Sequence, residues 1–554
     1  MPKLVERFLE TDVLVIGAGG AGLRASIEAR NMGVDVLVVS KGDFPSGCTT
    51  ARAMGVMLAH FNKEDSTARH FEDTLREGSY LNNPKLVRLL VNHAVERTRD
   101  IDHYGTKFDQ KDGNFNLFPL TGSSVNRGVI AEDRYRGGFF KGLVNEAKRL
   151  GIEILDNVMI VDLIKDRNAV VGAVGLEFEK ENILIISAKA VILATGGAGN
   201  LYSLTTNPPG ITGDGYALAY RTGARLSDME FVQGRVCMIF PEAMRGTPPP
   251  ADGCVTLGGR FYNGLYERYM RKYNPEKMEL VTRAEMAKCA QKEITEGRHS
   301  PHGGVFGDLS GIPEGELSKF KSFLESCAAE NFDPSWQPYE WAPGTHYFIG
   351  GIVINEQCET DIKGLYAAGE VESGIMGANR LTGNALTETQ VFGAIAGRYA
   401  AKWASFASRI PILPDRVNSL KTRLENILKR DSGSDYLEVR DEITKIMSLY
   451  VGVLRNEDGL RKAITLLDKI RKGKIENLCI VGNRSYKTLT ELLEVENFIT
   501  IGPIIAAAAM MRTETRGTHN REDYPELDET WTKNIVIQLR NNQMTMDTKP
   551  TEQF

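Results

Sequence analysis

The sequence predicts an α/β protein built on a dinucleotide-binding domain of the Rossmann type. Near the N-terminus, the apolar stretches DVLVI and VDVLVVS flank GAGGAG and an alanine-rich helix within residues 11–41. Farther along, the apolar strand of AKAVILATGG also runs directly into glycines. Strand, glycine turn and helix in this order form a βαβ unit that receives a pyrophosphate at the helix N-terminus. With 554 residues, the chain is long enough for two to four domains.

The glycines of the first turn have separate predicted roles. We expect Gly17 to make the tight turn, Gly19 and Gly20 to let the backbone approach a pyrophosphate, and Gly22 to let helix and strand pack closely. The second strand ends in Ser40-Lys41, where an NAD site usually has an acidic residue for the ribose. This departure favours FAD over NAD, and we assign both residues to the cofactor.

Two later segments are predicted to contact the same cofactor. Residues 44–59 are rich in small and hydroxyl side chains, which suit either a flat cofactor or a surface loop. Asp214 lies in a glycine turn before a helix, where it could bind the cofactor, cap the helix, or do both. The residues assigned to the cofactor here are Ser46, Thr49, Thr50, Gly55, Thr195, Gly196, Gly197 and Asp214.

Residues 343–389 are predicted to be the place where cofactor and substrate meet. Arg380 lies between glycines just before a helix, and His346 stands shortly before two glycines. Backbone N–H groups and a forked guanidinium suit a carboxylate or a phosphate. Five further residues of this stretch are assigned to the cofactor: Gly369, Glu370, Asn384, Ala385 and Leu386.

Composition excludes several classes of function. The net charge of -5 gives no support to nucleic-acid binding or to a basic membrane-facing surface. No apolar run reaches the roughly 18 to 20 residues of a membrane span, and the charged N-terminus does not resemble a signal peptide, so we predict a cytoplasmic protein. The seven cysteines are scattered without a C-x-x-C pair, which argues against a metal or iron–sulfur site within the chain.

Local patterns predict the remaining organisation. Residues 63–104 and 413–470 have apolar positions at helical spacing, and residues 156–187 alternate like a small antiparallel insert. The apolar run at 504–511 is predicted to pack closely as a helix, and the polar tail after about residue 538 to be frayed. Arg127, Arg134 and Arg136 are interpreted as solvated or ion-paired side chains.

The order of the motifs resembles the flavoprotein subunits of the fumarate reductase and succinate dehydrogenase family, a group that includes L-aspartate oxidase. The resemblance rests on TDVLVIGAGGAGLRAS, ILATGG, TGDGYALA, MEFVQ, THYFIGG, GLYAAGE and GANRLTGNAL, and resumes at RTETRGTHNREDYPE. It implies an FAD-binding domain in two segments, 1–228 and 343–410. It also implies an inserted α+β capping domain at 229–342, a helical domain at 411–530 and a C-terminal tail at 531–554.

The resemblance also implies a reaction and residues for it. In this family a hydride passes from reduced flavin to one alkene carbon of a dicarboxylate, and an arginine protonates the other carbon. Arg283 matches that proton donor, and Glu242 and Arg245 match the pair that relays protons to it. His346 and Arg380 match residues that hold the substrate carboxylates.

Four departures from the family pattern qualify these assignments. SGCTTARA lacks the histidine that carries covalent FAD in some members, so we expect non-covalent FAD. The usual histidine, proline and threonine after Gln233 are absent, and Arg235 is assigned to substrate binding in their place. Pro241 stands where the family has a substrate-binding threonine, and Ala284 where it has an aspartate. The exact unsaturated acid is therefore open.

Since the chain has no cysteine cluster and no clear NAD site, its electrons are expected to come through an iron–sulfur partner protein, as the resemblance implies. The donor behind that partner is not decided by the motifs; a thiol donor, as in the archaeal thiol-driven fumarate reductases, is one hypothesis. Two alternatives stay open: a flavin oxidase similar to L-aspartate oxidase, and a flavin electron-transfer subunit with a degenerate substrate pocket.

Overall fold

The structure is a computed structural model that describes residues 5–133, 137–249 and 251–551. Arg134 and Arg136, interpreted from the sequence as solvated or ion-paired, lie outside the described residues. The architecture is mixed α/β, as the sequence predicted.

The helices belong mainly to the faces of a central sheet, to the insert and to the C-terminal half. In chain order they are α1 (Gly20–Asn31), α2 (Thr49–Arg52), α3 (Thr67–Glu77), α4 (Pro84–His103), α5 (Gly138–Arg149), α6 (Asp214–Thr222), α7 (Ala251–Thr256), α8 (Met270–Tyr273), α9 (Arg283–Thr295), α10 (Glu314–Leu317), α11 (Lys321–Ala329), α12 (Asn384–Phe406), α13 (Pro414–Lys429), α14 (Tyr436–Tyr450), α15 (Glu457–Gly473) and α16 (Tyr486–Met511).

The strands form a central sheet and several smaller ones. They are β1 (Val5–Ile16), β2 (Val36–Val39), β3 (Val56–Leu58), β4 (Gln110–Lys111), β5 (Asn114–Phe115), β6 (Leu117–Phe118), β7 (Gly128–Ile130), β8 (Glu153–Leu155), β9 (Val158–Asp166), β10 (Ala169–Glu177), β11 (Asn182–Leu193), β12 (Leu226–Ser227), β13 (Val232–Phe240), β14 (Arg260–Tyr262), β15 (Val305–Asp308), β16 (Tyr339–Phe348), β17 (Gly351–Ile352), β18 (Leu365–Ala367), β19 (Ser434–Asp435), β20 (Leu454–Arg455), β21 (Leu478–Cys479), β22 (Asn520–Arg521), β23 (Lys533–Arg540) and β24 (Gln543–Pro550).

The central sheet has the order β8-β2-β1-β11-β10-β9, with β18 also paired to β11. Strands β8, β2, β1, β11 and β18 pair in parallel. The residues of β2 and β18 and the last four residues of β1 and of β11 are apolar and buried because helices cover both faces of such a sheet. On one face α12 packs on α1, where a Cβ at Gly393 or Gly397 would collide with the α1 backbone. This close contact brings the N-termini of both helices to the same edge of the sheet.

The predicted antiparallel insert is instead an extension of the central sheet. Strand β11 runs without a break from Asn182 to Leu193. Its first half pairs antiparallel with β10 and its whole length pairs in parallel with β1, which starts already at Val5. Residues 182–193 contain no glycine or proline that would interrupt a strand, so the two predicted strands are one.

A second hydrophobic core lies within residues 236–341 and is separate from the first. It contains the antiparallel sheet β13-β16-β15-β14 and short helices around Met238, Phe261 and Trp341. Strands β13 and β16 connect this cap to the central sheet. Their register places Gln233 opposite Tyr347 and Arg235 opposite Gly344 at the base of the cap.

The predicted helices at 413–470 are present as α13 to α15, and the apolar run 504–511 forms the last two turns of α16. Within the described residues α16 is the helix long and apolar enough to cross a membrane. However, 78% of its most apolar 18-residue window is buried in the protein, which is typical of a core helix.

The prediction of a frayed tail after residue 538 is wrong. Strands β23 and β24 form a hairpin in which Lys533 pairs with Pro550 and Arg540 with Gln543. Ile535 and Ile537 are fully buried, and β23 pairs with β12. The sequence carried a signal for this hairpin: Asn541 and Asn542, both with positive φ, separate two alternating segments.

Candidate active site

A cavity of about 590 Å³ lies where the glycine turns, the base of the cap and helix α16 meet. Its volume is within the range of about 300–1,000 Å³ that is usual for ligand sites. It is lined by most of the residues predicted from the sequence: Gly17, Gly19, Gly20, Ser40, Lys41, Thr49, Thr50, Gly55, Thr195, Gly196, Asp214, Arg235, Arg283, His346, Glu370, Arg380, Ala385 and Leu386.

The cavity lining lacks seven predicted residues: Gly22, Ser46, Gly197, Gly369, Asn384, Glu242 and Arg245. Gly22 packs against Gly17, where a Cβ would come within 1.8 Å of the carbonyl oxygen, so its role in helix packing fits the structure. Asn384 is fully buried and bonds to His70 and Thr74 instead of facing the cavity.

The glycine turn fits a dinucleotide pyrophosphate. Gly17 has a φ of +111°, and a Cβ there would collide with the carbonyl of Ala194. By contrast, a Cβ at Gly19 would have nothing nearer than Thr50 Oγ1 at 3.7 Å, so the start of α1 faces open space. The buried Thr195 Oγ1 also has no hydrogen-bond partner among the described residues. Backbone donors and a hydroxyl are therefore left for a ligand.

At another part of the lining, Lys41 joins the FAD-type domain to the helical region. Its Nζ lies 2.6 Å from Asp214 Oδ2 and 2.9 Å from Glu494 Oε1, and donates to Thr212 Oγ1 at 2.5 Å. Burial disfavours the charged ammonium, but the two carboxylates hold the pKa of Lys41 above its usual value. Glu494 was not predicted from the sequence, since nothing local indicates a contact between residues 453 positions apart.

Three arginines and a histidine lie together at one end of the cavity. Arg235, Arg283 and Arg380 line it together with His346, whose Nδ1 forms a 2.7 Å hydrogen bond with Thr206 Oγ1. Burial and then the three arginines hold the pKa of His346 well below its usual value. The imidazole is thus neutral at neutral pH, and the net charge of this end comes from the arginines.

Arg380 is held by neutral groups. Its Nε and Nη2 donate to Gln233 Oε1 at 3.2 and 2.9 Å, and its guanidinium lies 4.2 Å from the centre of the Tyr347 ring. Burial, followed by the like charge of Arg283, lowers the pKa of Arg380 to about 10. Gln233 and Tyr347 were not predicted as site residues, although both stand inside the quoted motifs MEFVQ and THYFIGG.

Two carboxyl groups behind Arg380 do not cancel this positive charge. Glu388 accepts a short hydrogen bond from Tyr347 Oη, and Glu370 Oε1 accepts one from the Phe348 N–H at 3.0 Å. Burial raises the pKa of Glu370 to about 7 and that of Glu388 to about 8. Both therefore hold much of their proton near neutral pH and compensate the charge of Arg380 only in part.

The structure does not bring the predicted relay residues to the cavity. Glu242 and Arg245 follow the end of β13 in a short turn, and both side chains are exposed. Arg283, in contrast, is the first residue of α9 and reaches the cavity. The family resemblance assigned these three residues to one proton relay, whereas the turn after β13 leaves the side chains of Glu242 and Arg245 exposed.

Comparison with known proteins agrees with this architecture. The family described as FAD binding domain matches residues 12–386, and the family described as Fumarate reductase flavoprotein C-term matches residues 440–553. An uncharacterised FAD-dependent oxidoreductase of Methanocaldococcus jannaschii is 40% identical over 534 residues, covering 96% of each chain. One of the subunits of the CoM/CoB fumarate reductase of Methanothermobacter marburgensis is 39% identical, covering 95% of this chain and 97% of its own.

Among solved structures, an Escherichia coli quinol fumarate reductase chain superposes with a TM-score of 0.91 at 28% identity, covering 98% of this chain and 97% of that one. The fold, the glycine-lined cavity and the FAD-domain match define an FAD-dependent oxidoreductase. More specifically, the chain belongs to the flavoprotein subunits of the fumarate reductase and succinate dehydrogenase family.

Proposed function

We propose that this chain reduces fumarate, or a closely related unsaturated dicarboxylate, as the catalytic subunit of an electron-transfer complex. The observation that carries the proposal is the convergence of three arginines and a neutral histidine on the cavity that fits FAD. A dicarboxylate brings two negative charges, which such a cluster of guanidinium groups can compensate and orient.

Different side chains are assigned to the two carboxylates of the substrate. Arg380, oriented by Gln233 and Tyr347, offers its remaining N–H groups to one carboxylate. Arg235 and His346 are the candidates for the other carboxylate. When bound and reduced, non-covalent FAD supplies the hydride; the residues that would hold it are those of the glycine turns and the Lys41 cluster.

Arg283 is the candidate proton donor to the second alkene carbon. It stands at the N-terminus of α9, where the helix dipole disfavours a positive charge, and its charge also opposes that of Arg380. Both effects favour transfer of its proton to a developing carbanion. The exposed Glu242 and Arg245 remain candidates for the solvent end of a relay that returns the proton.

Electrons are proposed to arrive through an iron–sulfur partner subunit in the cytoplasm, with the chemical nature of the donor open. The names of the relatives as subunits support a partner. The molecule that delivers electrons to that partner could be a thiol, a quinol or a ferredoxin-like protein.

The test is fumarate-dependent oxidation of a reduced viologen dye by the purified chain loaded with FAD. Loss of a general acid costs about 100- to 10,000-fold in rate, so Arg283→Ala should lose turnover by that factor while keeping its FAD. Arg271→Ala, a change at an exposed arginine of the same cap, is the matched control and should retain full activity.

Other outcomes lead to the alternatives. Rapid peroxide formation with L-aspartate would support a flavin oxidase instead. Full activity of the Arg283→Ala variant would support an electron-transfer subunit without a working substrate site. If the wild type binds FAD but does not reduce fumarate, other unsaturated acids are to be tested, because Arg235 and Pro241 alter the expected carboxylate contacts.

A further inference from the structure

A continuous chain of hydrogen bonds leads from Arg380 out of the cavity to the end of helix α3. Arg380 donates to Gln233 Oε1, and Gln233 Nε2 donates to Asn379 Oδ1 at 2.9 Å. Asn379 Nδ2 in turn donates to Glu77 Oε1 at 2.6 Å. Neither the sequence motifs nor the proposed reaction gives Glu77 a role.

The direction of every bond in this chain is set by its two ends. A guanidinium has only donors, and an ionised carboxylate has only acceptors, whereas an amide offers one of each. With Arg380 at one end and Glu77 at the other, each intervening amide has one orientation that satisfies both neighbours. The acceptor end of the chain therefore determines which atom Gln233 presents to Arg380.

The surroundings of Glu77 hold its side chain in place. It is the last residue of α3 and half-buried. Gly122, with a φ of +89°, lies directly against it, because a Cβ there would come within 3.0 Å of Glu77 Oε2. The charged groups that face Glu77 are Arg76 and Asp73 on its own helix and Arg283 on α9 of the cap. Its carboxylate thus acts on Arg283 through charge and on Arg380 through the hydrogen bonds of Asn379 and Gln233.

We propose that Glu77 is a positioning residue for the substrate: as the acceptor end of the chain through Asn379 and Gln233, it fixes the fork of Arg380 toward the dicarboxylate. The inference rests on the proposed function for the identity of the ligand. Glu242 and Arg245 have no part in this role, and Glu77 does not contact the reacting atoms.

The position of Glu77 predicts a particular pH dependence. Burial raises the pKa of Glu77, opposed by the positive charges of Arg76 and Arg283. Once protonated, the carboxyl group gains a donor and no longer dictates the orientation of Asn379. Substrate affinity should therefore be highest above the pKa of Glu77 and weaken as the pH falls through it.

The experiment compares Glu77→Gln with Glu72→Gln in the FAD-loaded chain. Glu72 lies on the same helix, is exposed and, among the described residues, accepts a hydrogen bond only from Tyr80 Oη, so it controls for charge and helix effects. Because an amide at position 77 can donate as well as accept, it no longer dictates the orientation of Asn379, and we expect the KM for fumarate to rise about 10-fold in Glu77→Gln. Its kcat should stay within about two-fold, and the acid-side rise of KM should disappear.

Asn379→Leu interrupts the chain at its middle and serves as a second variant if Glu77→Gln folds poorly. It should reproduce the higher KM and the loss of the acid-side rise, while Glu72→Gln behaves like the wild type. A Glu77→Gln protein that folds and binds FAD, yet keeps the wild-type KM at every pH, overturns the inference.

A second measurement distinguishes failure of the proposed function from failure of the positioning role of Glu77. If the wild type does not turn over fumarate, binding of succinate is followed through its perturbation of the FAD absorbance. Weaker succinate binding in Glu77→Gln than in Glu72→Gln then supports the positioning role without any turnover. Equal binding by the two variants overturns it.

Discussion

Two groups of arginines in this molecule differ in what surrounds their charges. The C-terminal group, Arg512, Arg516 and Arg521, comes from the segment RTETRGTHNRED and is almost inaccessible to solvent. Arg512 lies 2.7 Å from Glu230 and 3.0 Å from Glu514, and Arg521 lies 2.8 Å from Asp523. The cavity group contains Arg235, Arg283 and Arg380, and Arg380 bonds to an amide and faces an aromatic ring.

The two groups differ in whether groups of the protein itself compensate the charge of the arginine. Buried ions must be compensated, and the C-terminal arginines are compensated within the chain by carboxylates and backbone carbonyls. In the described structure Arg380 forms no ion pair, so an anionic ligand can supply the compensating negative charge. Hydrogen bonds also connect the segments that carry the two groups. Thr518 donates its N–H and its hydroxyl to the carbonyl of Ala378 at 3.0 and 3.2 Å, and Ala378 stands two residues before Arg380.

Arg512→Met should give the largest effect, and on stability. The change removes one member of a fully buried network and leaves Glu230 without its cation and Glu514 with Arg516 alone, which costs about 3–5 kcal/mol. We expect a much lower melting temperature or little soluble protein, measured by thermal unfolding. Arg149→Met, at an exposed arginine that pairs with Glu146 on the same helix, should melt close to the wild type; equal melting of both variants would contradict the structural role.

Arg380→Lys should have the opposite profile, with a large effect on binding and little on stability. A lysine keeps the charge but cannot present two parallel N–H groups or stack on Tyr347 as a plane. We expect the KM for fumarate to rise about 10- to 100-fold, with a melting temperature close to the wild type. A strongly lowered melting temperature would show that Arg380 is structural as well, and the contrast between the groups would fail.

Much of the fold could be predicted because its signals are local. The GAGGAG turn between two apolar strands specified the first βαβ unit, and helical spacing specified α3, α4 and α13 to α15. The errors arose where local signals compete with pairing partners far away in the chain. Strand β11 was divided at residue 187 because the long pairing with β1 cannot be read from its own sequence, and the hairpin β23–β24 was missed because its polar outer face resembles a tail.

The candidate site shows the same limit. Residues inside the glycine turns and around Arg380 were found from the sequence, since backbone geometry requires those residue types at those positions. Glu494, Thr206 and Glu77 were missed because each reaches the site from an element whose own pattern is that of an ordinary helix or loop. Glu242 and Arg245 were assigned from the family resemblance, but the turn after β13 decides where their side chains lie.

The smallest expected effect concerns Asp228, an acidic residue beside the C-terminal arginines. Burial, together with the charge of Glu230, raises the pKa of Asp228 to about 7 from 3.8, although Arg512 opposes this shift. Between these two pH values the unfolded chain releases a proton that the folded chain keeps, so this group lowers the stability of the protein as the pH rises. Above about pH 7 the group causes no further loss of stability.

Asp228→Asn removes that contribution. The melting temperature of the variant, measured against the wild type, should therefore improve steadily from acidic to neutral pH, by a few degrees at most. A difference that is constant with pH would mean that Arg512 keeps Asp228 ionised, and the C-terminal group would then be even more completely charge-balanced than the cavity group.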